Sequence, residues 1–348
     1  MASFPVQPLQ AALLFDDPGA PGQRVPDWDL LAEAVNLHPA HVGPELALHH
    51  GPPGSFEARL TTSELTARVV LHDTPLPLPG FATELGHALY TRLRPELAAQ
   101  VRAHRAAALV EVARRDGLPP EDQAAFDRRL LVTAALAATL TRAMGPGTVH
   151  WAQSHQLFLG AEFIGLAADP FPLALFVQPG FFSDGRRVNG SYATGVEALG
   201  AAHLIGQHVR FEPHPQDMQQ SYLAVLTFVD ACRYAGRLPR NRAIFGAEGA
   251  PPIEVSLQPG TAAHPAGIIS LRQREVARAR GGPASIRPGD RVPWQRLREL
   301  VRLDTLQAAL IAVVVLAQLV LFAVWDMPFG LSAPLVTARP EMSTPDDF

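Results

Sequence analysis

Lysine is absent from this chain: all 29 basic residues are arginine, against 33 acidic ones. Together with abundant alanine and proline, that bias reflects a GC-rich genome and points to a bacterial source. Cysteine is almost absent as well. The single Cys232 excludes an intramolecular disulfide and fits a reducing compartment. The first nineteen residues hold no basic group and only five consecutive apolar positions, Ala11 to Phe15, so they do not form a secretory signal. Catalytic signatures are missing too: there is no Walker A sequence, no G-x-G-x-x-G after a strand, no G-x-S-x-G elbow and no H-E-x-x-H. Residues 1 to 271 carry 19 arginines against 25 acidic groups, net −6, which argues against a nucleic-acid surface.

What the chain does have is Thr305 to Trp325, twenty-one residues without a charge. As a helix this run would be roughly 31 Å long, the thickness of a bilayer hydrocarbon core. Apolar groups occupy every face, from Thr305 through Leu310 and Val315 to Trp325, and only Gln307 and Gln318 are polar. A helix lying on the surface of a globular core would show an amphipathic stripe instead. Ala308 and Ala312 share one face, where a second helix could approach, and Gln318 offers an amide that hydrocarbon cannot satisfy.

The flanks set the orientation. From Arg272 to Asp304 nine arginines, among them Arg291, Arg296, Arg298 and Arg302, face four acidic groups, net +5, whereas residues 326 to 348 are net −3. The positive-inside rule then keeps the large N-terminal part in the cytoplasm and sends the short tail across the inner membrane.

Periodicity places the remaining elements. Leu9 to Phe15 is an apolar strand ended by an Asp-Asp-Pro-Gly turn, and Asp27 caps a helix with Trp28, Leu31, Ala34 and Val35 on one face. Strands are expected at 56–61 and 67–72, a helix at 83–104 broken by Pro95, and a strand at 106–112. This β-α-β-β-α-β order is that of a ferredoxin-like sandwich. A long helix is expected over 121–144, then a strand at 149–151, a helix at 156–167, strands at 172–177, 192–199 and 208–212, a helix at 216–234 and a last strand at 253–257. The expected fold is thus α+β with mainly antiparallel sheet, in two ferredoxin-like α/β sandwich halves, 1–118 and 119–271. An arginine-rich linker (272–304), the membrane helix (305–325) and an acidic tail (326–348) complete the chain.

The succession of LTARVVLHDTPLP, a helix leading into VRAHRAAALVEVA, the short VHW strand, SYATGVEALG and a helix ending in YAGRLPRNRAIFG resembles the bacterial DUF4261 family over roughly residues 55 to 257. The resemblance implies a fold and supplies no active residue, because the family has no assigned biochemical function. The anchor and the linker would be additions to its usual soluble pattern.

Thirteen histidines are the remaining source of chemistry. His150 and His155, like His203 and His208, are five apart, a spacing that suits a two-point metal clamp neither on a helix nor on a strand. A composite site from His150, His155, Glu162 and His203 would have to form in three dimensions. His87 and His104 fall in helices and His49-His50 in a loop. Glu197 and Glu212 are too isolated to pair, Asp184 to Arg187 reads as a turn, and Trp151, Phe181, Phe182 and Cys232 read as core. No catalytic residue, cofactor or metal ligand is assigned. The sequence supports a membrane-anchored cytoplasmic interaction or scaffold module, in contact with lipid through its C-terminal helix and with a protein partner or a second copy of itself. The alternative is a membrane-tethered, metal-assisted hydrolase using the histidines of the middle region.

Overall fold

The structure, a computed structural model, describes residues 8–274 apart from 20–24, 40, 42, 50–55, 88–89, 92–93, 120, 189–190, 215–217, 247–251, 262–263 and 265–266. The span Thr305 to Trp325, with Leu310, Val315 and Gln318, lies outside the described residues, as do Arg291, Arg296, Arg298, Arg302 and the tail. Among the described residues the fold is α+β and mainly antiparallel, with thirteen strands and eight helices.

The first sheet consists of β1 (Leu9–Phe15), β2 (Ala47–Leu48), β3 (Glu57–Thr61), β4 (Leu65–His72), β5 (Ala106–Arg114), β6 (Thr148–Trp151) and β7 (Gln156–Leu159). Its order is β2-β3-β4-β5-β1-β6-β7, antiparallel throughout. The expected order of elements along the chain is present, but their pairing is not ferredoxin-like. A ferredoxin-like sandwich sets its first strand between the third and fourth, whereas β1 lies between β5 and β6. The difference arises at β4 and β5, which pair directly along Leu65–His72 and leave no place for β1 between them; β1, apolar on both faces, is flanked instead by β5 and the wholly buried β6.

Period-2 alternation divides this sheet between two apolar clusters. Leu9, Ala11, Leu13 and Phe15 of β1 and Ala106, Ala108, Val110 and Val112 of β5 face the main core. Ala12, Leu14 and Ala107 face a smaller one with Phe81, Tyr90, Leu97 and Val101. The helices are α1 (Trp28–Asn36), α2 (Ala82–Gly86), α3 (Pro95–Ala103), α4 (Gln123–Met144), α5 (Gly160–Ala167), α6 (Leu173–Phe176), α7 (Ala201–Ile205) and α8 (Met218–Ala235). Helix α3 packs over the smaller core, and α1 and α4 over the main one. Helix α4 starts at Asp122, which accepts from Ala125 N at 2.8 Å, and ends at Gly145 in the left-handed region (φ 62°). Residues 129–141 of this helix are buried on every face, which its run of alanines permits. Thr133, Thr139 and Thr141 return their hydroxyls to carbonyls one turn back, at 2.7, 2.8 and 2.7 Å.

The second sheet consists of β8 (Gln178–Val188), β9 (Ser191–Leu199), β10 (His208–His214), β11 (Ile244–Phe245), β12 (Ile253–Gln258) and β13 (Ile268–Gln273), in the order β11-β12-β13-β10-β9-β8. Its one parallel pair, β10 with β13, is joined by a crossover that contains α8. One continuous core runs from the first sheet through α4 to α8 and the second sheet. Arg233 of α8 fastens the two long helices together, with Asp127 at 2.5 Å, Asp230 at 2.8 Å and the Phe171 ring at 3.7 Å.

Three local expectations change. The strand expected at 172–177 is the short helix α6, which Pro172 opens and which buries Leu175 and Phe176. The helix expected at 156–167 begins at Gly160, because Gln156 to Leu159 pair with β6. The helix expected over 83–104 resumes at Pro95 as α3, as expected, but its first part is only α2, which ends at Gly86 where His87 turns extended.

Candidate functional site

The β1–β6 pairing brings together what the sequence kept apart. His150 stands on β6, and His155 closes the turn into β7 in a left-handed conformation (φ 55°) that a non-glycine residue holds only at some cost. Glu84, from α2 on the other side of the smaller core, is 1% exposed and lies between them. One carboxylate oxygen, Oε1, is 2.8 Å from His150 Nε2 and 3.0 Å from His155 Nδ1. Phe81 stacks edge-on against His150, with ring centroids 5.0 Å apart. Burial pushes the Glu84 carboxyl upward, but the hydrogen bonds from both histidines outweigh it and hold the group well below the usual carboxylate range. The bond to Glu84 raises His155 against its partial burial. The chemistry of this trio is that of a buried carboxylate kept ionised by two imidazoles.

Of the composite site His150, His155, Glu162 and His203, the structure joins only His150 and His155, and through Glu84. Glu162 is held in a two-pronged ion pair by Arg94, at 3.0 and 2.9 Å. His203 is lowered by burial first, then by the neighbouring charges of His155 and His208. His104 is structural: its Nε2 accepts from Leu76 N at 2.9 Å, which leaves the proton on Nδ1 for the Val101 carbonyl.

The readings as core hold for two of the four residues: Trp151 is fully buried beside Phe176 and Phe163, and Cys232 is buried with its thiol pushed up to about 12, unsuited to nucleophilic chemistry. Phe181 is only partly buried against the main core, and Phe182 is half-buried on the opposite face of the sheet, under Arg210. Asp184 to Arg187 form a bulge inside β8 around Gly185.

A second cluster lies at the end of the second sheet, where β9 finishes and β10 and β13 begin. Glu197 of β9, His208 of β10 and His264 from the turn before β13 each present a ligand atom, all within 4.8 Å of one another. The two imidazoles meet edge to face at 4.6 Å between centroids. Glu197 does not stand alone as the sequence suggested, and His264 gave no signal in it. Only the strand order β9-β10-β13 places these residues side by side. No family model, no curated protein and no solved structure matches this chain.

Proposed function

We propose that this chain is a membrane-anchored interaction or scaffold module of a bacterial cell, its α+β part on the cytoplasmic side of the inner membrane and its partner another protein or a second copy of itself. The observation that carries the reading is the uncharged run Thr305 to Trp325 with its net +5 and −3 flanks. No helix among the described residues is long and apolar enough to cross a membrane, and the reading places the span outside them. The likeness of residues 55–257 to the DUF4261 family belongs to the same proposal and is supported by the order of the quoted segments.

A reporter fused after Phe348 should behave as periplasmic and one at the N-terminus as cytoplasmic. The opposite pattern would remove the orientation, and a full chain extracted from membranes by salt alone would remove the span.

The arginine-rich linker carries a further expectation. Each basic residue near an anionic surface contributes about 1 kcal/mol. Reversing Arg296, Arg298 and Arg302 to glutamate should then strongly reduce binding of a chain ending before Thr305 to vesicles rich in anionic lipid. Binding that is equal in the variant, or insensitive to salt, would refute this role for the linker.

A further inference from the structure

Glu197 and His208 share the outer face of the second sheet. Their chain neighbours Val196, Ala198 and Val209 are buried in the main core, so alternation turns both side chains the other way. Arg210 is the cross-strand partner of Glu197, which makes His208 the diagonal neighbour on the same face. Arg210 lies over the Phe182 ring at 4.1 Å, and among the described residues no cation forms an ion pair with Glu197. The carboxylate is therefore left to the two histidines.

His264 is held by its backbone. Its N–H donates to Thr261 Oγ1 at 3.2 Å, and its carbonyl accepts from Thr261 N at 3.0 Å and Gly267 N at 2.9 Å. The turn is tied to the first ligand strand, because His208 N donates to the Gly267 carbonyl at 3.3 Å. Gly267 sits at φ +86°, and a Cβ there would come within 2.8 Å of both Gln207 Oε1 and the Gln258 carbonyl, so the turn requires glycine. Nδ1 of His264 is buried and has no hydrogen-bond partner among the described residues. Such an orphan calls for an explanation, and a cation supplies one.

We propose that Glu197, His208 and His264 bind one borderline first-row divalent cation of the zinc type. Two neutral imidazoles and one carboxylate are the donor set such ions favour, whereas magnesium and calcium demand oxygen. Ligand atoms on a tetrahedral zinc ion stand about 3.3 Å apart, so a set within 4.8 Å needs each side chain to close by roughly an ångström or less. All three residues are half-buried, which leaves a side of the ion open to solvent and a fourth position for water, as in a reactive site and unlike a closed structural one. Arg210 is the opposing element, a cation on the same face whose repulsion weakens binding. This site is independent of the membrane-anchor reading.

The test uses the full chain, without a polyhistidine tag, in detergent and stripped by chelator. Zinc should bind at one ion per chain, and magnesium and calcium should not compete. Glu197→Gln and His264→Gln should each weaken zinc binding on the order of 100-fold or more, given that even groups behind the ligands alter affinity 10- to 100-fold. His155→Gln should leave it unchanged. X-ray absorption on the zinc-loaded wild type should count two imidazoles, a readout that no misfolded variant can confuse. Undiminished affinity in both ligand variants, loss in His155→Gln, or fewer than two imidazoles would each overturn the site.

Discussion

Arg129→Ala is expected to lower the unfolding free energy by about 3–5 kcal/mol, the largest single effect that this fold presents outside simple cavity formation. Arg129 is 1% exposed near the start of α4, and its Nη2 lies 2.7 Å from the carboxylate of Glu121, itself nearly buried. Arg114 stands on the other side of that carboxylate at 3.8 Å, and the Arg129 guanidinium lies 5.3 Å from the Phe126 ring centroid. Burial dominates both partners. It pushes the Glu121 carboxyl up and the Arg129 guanidinium down, in each case against the attraction of the other. The pair therefore offsets a desolvation cost and adds little net stability. Removing the cation leaves the carboxylate dehydrated, with Arg114 the one other cation paired to it among the described residues. The double change Arg129→Met, Glu121→Leu should recover most of the loss, because it removes both dehydrated charges together and keeps the volume. Urea unfolding of the detergent-solubilised full chain measures both. A loss under about 1 kcal/mol for the single variant, or a double variant as unstable as the single, would contradict the account of a buried pair.

The ease of reading these elements from sequence follows from the range of the interactions that make them. Strand β1, the long helix α4 and the helix α8 are legible because local pattern determines them: an apolar run before a turn in the strand, and apolar residues recurring at helical spacing in the two helices. The strand β13 and the short β7 are not, since neither has an alternation long enough to stand out from its surroundings. Misreading α6 as a strand has the same cause. Four apolar residues after a proline fit either state, and their packing under Trp151 decides. Pairing was harder still, because β6 reaches β1 from more than a hundred residues away, and that contact carries His150 to Glu84. The five-residue spacing of His150 and His155 suits a shared clamp neither on one helix nor on one strand. The turn between β6 and β7 reverses the chain and brings both rings to one carboxylate. His264 lies beyond a crossover from His208, so no spacing rule could join them.

The Glu84 cluster should give the domain a pH-dependent stability with a plateau in mildly acidic solution. Glu84 has its folded pKa lowered below the ordinary 4.5, so the stability that it contributes is complete above that value and lost as the pH falls through the folded one. His155 has its folded pKa raised above 6.5, so its contribution is complete below that value and lost as the pH rises through the folded one. Both are in force between pH 4.5 and 6.5. Glu84→Gln removes the charge and keeps the shape, and it leaves buried His150 without an ionised acceptor, at a cost of about 3 kcal/mol. The difference between wild type and variant should be largest inside that window and shrink on either side. His155→Gln should cost less, roughly 0.5–1 kcal/mol, because the imidazole is half exposed and water screens its charge. Its loss should flatten the alkaline limb and leave the acid limb to Glu84. Unfolding curves of the three proteins at intervals from acid to alkaline pH decide the matter: a wild-type advantage over Glu84→Gln that stays constant with pH would mean that the carboxylate is held by shape alone, without the charge that its two histidines share.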